Sequence, residues 1–259
     1  PVLVEQLAND PDKLKLGGET RQISALFCDI RGFTSLSERF APEELTDLLN
    51  RFLTPLTEVI LNEQGTIDKY MGDCIMAFWN APVDVAVHER RACSAALKML
   101  DALAELNETL QREATASGTS MQELRIGIGI NSGSALAGNL GSEQRFDYSV
   151  LGDSVNLASR LEGQSKAYGV EILLSEATRA AVKDLAFLEL DLVQVVGKSE
   201  PVRIFSLLGD ALFARTNVFI EAETLQTRML GHYRTRRWQE ALEVIGKLEQ
   251  LELDRFKGY

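Results

Sequence analysis

The feature that most narrows the folds open to this chain is the order of its apolar patterns between residues 22 and 131. A β-rich run over 22–30 leads into a long helical pattern over about 35–61, interrupted at Pro42-Glu43-Glu44, and then into β-rich runs over 66–71 and 74–79. A second long helical pattern covers about 85–113, apolar at Ala92, Ala95, Ala96, Met99, Leu100 and Leu103, and another strand covers 124–131. That β-α-β-β-α-β order predicts an α+β fold with a ferredoxin-like core, an antiparallel sheet carrying its helices on one face.

Further αβ elements extend this core. Residues 133–141 read as a small, flexible segment, 145–151 as a strand, 153–166 as a helix opened by Gly152-Asp153-Ser154, 170–174 as a strand, and 175–182 as a helix with a serine cap. Runs over 185–196 and 202–207 read as a closing hairpin around GKSEP, so the main domain is expected over 21–209. Residues 1–20 read as a linker, polar through Asp10-Pro11-Asp12 and Gly17-Gly18. Residues 210–259 read as a tail with two helices, over 222–230 and 238–251. The tail resembles one helix pair of a tetratricopeptide repeat, which cannot bury its own face and is expected to pack on the main domain or a partner.

With 45% hydrophobic and 25% charged residues in 259, the chain is a globular one with room for one sizeable core and an appendage. A net charge of −11 sets it against general nucleic-acid binding, while a small nucleotide carried with its cation remains open. Three cysteines, Cys28, Cys74 and Cys93, lack the close spacing of a zinc site and read as reduced thiols packed in the core. No apolar run reaches membrane-spanning length and no signal peptide is visible; the start at Pro1 reads as a piece of something longer.

Three stretches carry chemistry. In FCDIRGFTSLSE, Asp29 is expected at the carboxyl end of the first strand, Gly32 lets the backbone approach a ligand, and Thr34, Ser35 and Ser37 are candidate caps of the next helix. Such a turn offers amides to phosphate oxygens while the carboxylate holds a divalent cation against them; the plainer reading is that Asp29 caps a turn. In GTIDKYMGDCIMAFW, Gly72-Asp73 suits a hairpin tip, so that Asp73 converges with Asp29 if the hairpin lies beside the first strand. Two carboxylates near a phosphate-binding turn suit a two-cation site. In LGDSVNLASRLEG, Asn156 and Arg160 are four apart and share a helix face, able to offer an amide and a guanidinium to one ligand; the plainer reading is a surface polar pair.

Together the three stretches resemble the catalytic domain of class III nucleotidyl cyclases, the family that makes cyclic AMP or cyclic GMP. The resemblance covers about residues 19–209, and DPDKLKLGGE resembles the transducer segment of bacterial membrane-bound cyclases. It implies two Mg²⁺ or Mn²⁺ ions on Asp29, Asp73 and the carbonyl of Ile30, with Gly32, Phe33 and Thr34 beside the substrate phosphates. Asn156 matches the residue that orients the ribose, Arg160 the one that stabilises the pentavalent phosphorus, and Arg125 an arginine that reaches the terminal phosphates.

Substrate choice by the same resemblance rests on Lys69 and Ser149. Lys69 matches the purine-selecting lysine of adenylyl cyclases; a donor there suits N1 of adenine and meets another donor at N1 of guanine, which favours ATP. Ser149 stands where adenylyl enzymes carry aspartate or threonine; it accepts from the adenine 6-amino group, but its hydroxyl also donates and so discriminates less. The family's triphosphate lysine is replaced by Val196, with Lys198 as its candidate substitute or a solvated loop lysine. The resemblance further implies a homodimer with two equivalent sites, one copy giving the aspartates and the other Lys69, Ser149, Asn156 and Arg160. It also implies an upstream membrane-anchored sensor and a cytoplasmic domain of an inner-membrane protein. The rival readings are a guanylyl or mixed-specificity cyclase and a non-catalytic nucleotide-sensing dimerisation domain. An RNA-binding module on the same framework lacks its aromatic platform. Neither His88 nor His232 is given a catalytic role.

Overall fold

A computed structural model describes residues 16–194, 201–251 and 253. Its eight-stranded sheet has the order β2-β3-β1-β4-β6-β8-β7, with β5 paired to β4. The strands are β1 (Gly17–Ile30), β2 (Thr66–Met71), β3 (Cys74–Trp79), β4 (Ile126–Ser142), β5 (Arg145–Leu151), β6 (Ile172–Ser175), β7 (Ala186–Val193) and β8 (Val202–Gly209). The ferredoxin-like order is present in β2-β3-β1-β4, all antiparallel, and the extension adds one parallel pair, β4 with β6.

The helices that cover the sheet follow the sequence patterns closely. A short α1 (Phe33–Ser37) precedes α2 (Pro42–Asn62), and the break falls where Pro42 suggested it. Pro42 opens α2 without losing an intrahelical bond, and the Glu44 carboxylate accepts from the Ala41 N–H at 3.0 Å. In α3 (His88–Ala116) the six apolar residues singled out in the sequence are all buried. They meet Phe52, Leu56 and Ile60 of α2 and Leu26, Cys28, Ile30, Ile75 and Trp79 of the sheet in the largest core. The two core helices share one face as expected, while α4 (Asp153–Ser165) of the extension lies on the opposite face with Val155 and Ala158 against Ile23, Ala25 and Phe27. Its approach is tight: a Cβ on Gly129 would lie 2.2 Å from the Ala158 carbonyl oxygen, so only glycine fits.

The segment over 133–141, expected to be flexible, is instead the outer half of the 17-residue β4. Its small residues serve close contact, since a Cβ on Gly138 would lie 2.1 Å from the Gly17 carbonyl oxygen. Correspondingly β1 begins at Gly17, inside the stretch read as a linker, and pairs with β4 out to Asn139. β5 hydrogen-bonds to this outer half and also contacts β2, three strands away, so β4 and β5 curl over the α4 face.

Behind β6, α5 (Glu176–Ala181) starts on Ser175, whose hydroxyl accepts from the Thr178 N–H as the sequence suggested. The tail forms α6 (Asn217–Arg234) and α7 (Trp238–Glu249). Phe219, Ala222, Met229 and Val244 pack on Ala186 and Leu188 of β7, and Gln226 Nε2 donates to the Glu189 carbonyl at 2.8 Å. The pair therefore covers the last strand of the sheet. No helix among the described residues is long and apolar enough to cross a membrane.

Candidate active site

β1 delivers Asp29 and Ile30 at its carboxyl end, and the antiparallel pairing of Cys28 with Ile75 brings the β2–β3 turn alongside. The Ile30 N–H donates to Asp73 Oδ2 at 3.2 Å, which fixes the second acid over the end of the first strand. Asp29 Oδ1 is buried and has no hydrogen-bond partner. Burial, followed by a hydrogen bond and charge repulsion from Asp29, pushes Asp73 up to about 7. An orphaned carboxylate oxygen beside a second carboxylate driven toward its neutral form is what a divalent cation relieves, and oxygen donors suit magnesium or manganese.

Two further groups belong to this end. Glu162 of α4 lies over Gly127, the ladder partner of Asp29, and is pushed up to about 7 by burial and by the Asp29 charge. Glu162 was missed in the sequence, although it stands two residues after Arg160 in the same stretch. Cys74 corrects an expectation: half-buried, it turns to the α4 face, where burial and then Asp29, Glu162 and Asp73 push its thiol up to about 12. Cys28 faces the other way and packs in the main core. Among the described residues no cluster of three or more His, Cys, Asp or Glu is placed to hold a metal.

Gly32 caps α1 with a left-handed φ of 74°, a conformation glycine takes without strain. The expected caps do not act, because the helix starts at Phe33; Ser37 Oγ instead donates to the Thr34 carbonyl at 2.9 Å. Phe33 packs on the main core and Thr34 is exposed. Arg125 sits exposed just before β4, at the same sheet end as the acids, its carbonyl accepting from the Arg31 N–H at 2.7 Å. Asn156 and Arg160 lie one turn apart on α4, Asn156 exposed and Arg160 half-buried with Nη1 buried and unpartnered. Val196 and Lys198 lie outside the described residues.

Lys69 and Ser149 form a second centre through a residue the sequence reading passed over. Ser149 Oγ donates to Asp68 Oδ2 at 2.6 Å, and Lys69 Nζ lies 3.3 Å from Asp68 Oδ1. The single chain thus holds two centres, an acid pair at the ends of β1 and the β2–β3 turn, and a lysine–serine pair joined by Asp68.

This fold matches that of known proteins. The family model for adenylate and guanylate cyclase catalytic domains matches residues 18–209, and the chain belongs to that family. It is 38% identical over 190 residues to adenylate cyclase 1 of Rhizobium meliloti, covering 73% of this chain and 28% of that protein. The chain thus spans little more than a quarter of that relative. Among solved structures, the adenylyl cyclase CyaB of P. aeruginosa is 35% identical with a TM-score of 0.64, covering 75% of this chain and 97% of that one. The guanylyl cyclase Cya2 is 38% identical with a TM-score of 0.66, covering 75% and 95%.

Proposed function

We propose that the chain is the catalytic domain of an adenylyl cyclase that converts ATP to 3',5'-cyclic AMP and pyrophosphate in a homodimer with two equivalent sites. The observation that carries this reading is the convergence of Asp29 and Asp73, with a buried oxygen left for a cation, in a chain that also presents Lys69 beside Ser149. Asp29, Asp73 and the Ile30 carbonyl would hold two Mg²⁺ or Mn²⁺ ions. When bound, the ions offset the phosphate charge and ease ionisation of the attacking hydroxyl.

The protein's own groups do the rest. The backbone at Gly32, Phe33 and Thr34 and the Arg125 guanidinium bind the phosphates, and Lys198 adds a charge at the γ-phosphate. In the partner copy, Lys69 and Ser149 seat the purine, Asn156 orients the ribose, and Arg160 stabilises charge on the five-coordinate phosphorus. The 3'-oxygen then bonds to the α-phosphorus as the bond to pyrophosphate breaks. An upstream membrane-anchored sensor would regulate the domain from the cytoplasmic side of the inner membrane.

The test is to incubate the purified chain with ATP and Mn²⁺ and assay cyclic AMP and pyrophosphate, with GTP in parallel. Cyclic AMP formation that scales with dimer concentration is expected. Faster turnover of GTP would favour the guanylyl reading, to which the 38% identity with Cya2 lends weight. Nucleotide binding without either product would leave a sensing domain.

A further inference from the structure

The β2–β3 ladder slips by one residue: Ile67 pairs with Ala77, but Lys69 pairs with Met76, so Asp68 is the extra residue of a β-bulge. In a regular strand, consecutive side chains point to opposite faces. Here the slip puts Lys69 on the Met76 side of the sheet, the side covered by α4 and β5, and leaves Asp68 free of a ladder partner. The Asp68 side chain is 0% exposed, yet the Lys69 side chain beside it is 48% exposed. A buried acid therefore stands directly behind an accessible ammonium.

What the acid does to Ser149 decides the chemistry. Ser149 is 5% exposed, and its hydroxyl points its single proton at Asp68 Oδ2 over 2.6 Å. A carboxylate can only accept, and a serine hydroxyl has one proton and two lone pairs. With the proton spent on Asp68, Ser149 can offer a ligand lone pairs alone. Lys69, held 3.3 Å from Asp68 Oδ1, can offer protons alone.

We infer that Asp68 is a positioning residue for base selection: it turns Ser149 into an obligate acceptor next to a donor, a pair that fits a 6-aminopurine nucleotide and repels a 6-oxopurine. This rests on the reading of Lys69 and Ser149 as the purine seat, and it removes the ambiguity of a free serine hydroxyl. A 6-amino group donates to Ser149 while the unprotonated N1 accepts from Lys69. A 6-oxo group sets lone pairs against lone pairs, and its N1–H sets a proton against the ammonium.

The test uses the full chain and compares ATP with inosine triphosphate, which differ only in this edge of the base. Both equilibrium binding and kcat/KM are measured, for wild type, Asp68→Ala, Asp68→Asn, Ser149→Ala and the double variant Asp68→Ala with Ser149→Ala. In Asp68→Asn the amide oxygen stays with Lys69 and the N–H turns to Ser149, which frees the serine proton for a 6-oxo group. The ATP to inosine triphosphate ratio should fall by about tenfold or more in Asp68→Ala, through loss on ATP. In Asp68→Asn it should fall further, with a gain on inosine triphosphate. Asp68→Ala should change the ratio little once Ser149 is alanine.

Equal losses on both nucleotides in Asp68→Ala and Asp68→Asn would overturn the inference, since a purely structural acid would produce them. So would an undiminished effect of Asp68→Ala in the Ser149→Ala background. Absence of cyclic product from wild type defeats the cyclase reading instead, while the binding ratio still decides the role of Asp68.

Discussion

Asp29 and Asp68 are both aspartates with a buried carboxylate oxygen, and their surroundings give them opposite work. Asp29 has an orphaned oxygen, a second acid beside it in Asp73 and a third in Glu162. Asp68 has an ammonium at 3.3 Å and a hydroxyl at 2.6 Å, both from its own chain. Oδ1 of each accepts no hydrogen bond, but the first carboxylate lies among other acids, whereas the second has a cation and a hydroxyl donor from its own chain. Burial of an acid says little until its neighbours are counted.

The comparison breaks most decisively at Asp29. Asp29→Asn should reduce cyclic nucleotide formation to background, and the rise in melting temperature that Mn²⁺ gives the wild type should vanish with it, a readout independent of turnover. On the proposed role of Arg160, whose Nη1 is buried and unpartnered, Arg160→Ala should lower kcat by about 10²- to 10³-fold with KM little changed. Asp68→Asn should leave the Mn²⁺ response intact and shift base preference by about tenfold or more, which separates the two acids.

Smaller effects sharpen the picture. Gly138→Val drives a side chain into the Gly17 carbonyl and should cost about 1–3 kcal/mol in denaturant unfolding, disturbing the Ser149 region and sparing the acid pair. The slightest effect belongs to His88, a residue of neither centre, whose Nδ1 lies 2.8 Å from Ser24 Oγ. Burial lowers its pKa, so below about 6.5 the unfolded chain binds the proton that the folded chain resists. The His88 contribution is present above that pH and lost below it, opposed over the same range by Asp73 and Glu162, whose raised pKa values add stability as pH falls. The difference between wild type and His88→Gln isolates it in denaturant unfolding.

Much of this was legible in the sequence because it depended on local pattern. Pro42 marked the break between helices, the stripe from Ala92 to Leu103 marked the buried face of α3, and Gly72-Asp73 marked the hairpin tip. The outer half of β4 was misread because small residues mean flexibility only when nothing crowds them, and here β1 lies against them. The place of α4 on the opposite face depends on glycines 127 and 129, whose meaning appears only when a helix is laid across them. Asp68 was passed over because a one-residue slip in strand pairing has no signature in the chain itself. Without that slip Lys69 would point to the other side of the sheet.

Gly18, Gly138 and Ser149 stand in one row across three adjacent strands, each hydrogen-bonded to the next. By ordinary strand spacing, the start of β1 lies only about 10 Å from Ser149. On the proposed reading, a pull or twist applied ahead of Gly17 would reach the base seat before the acid pair at the far end of β1.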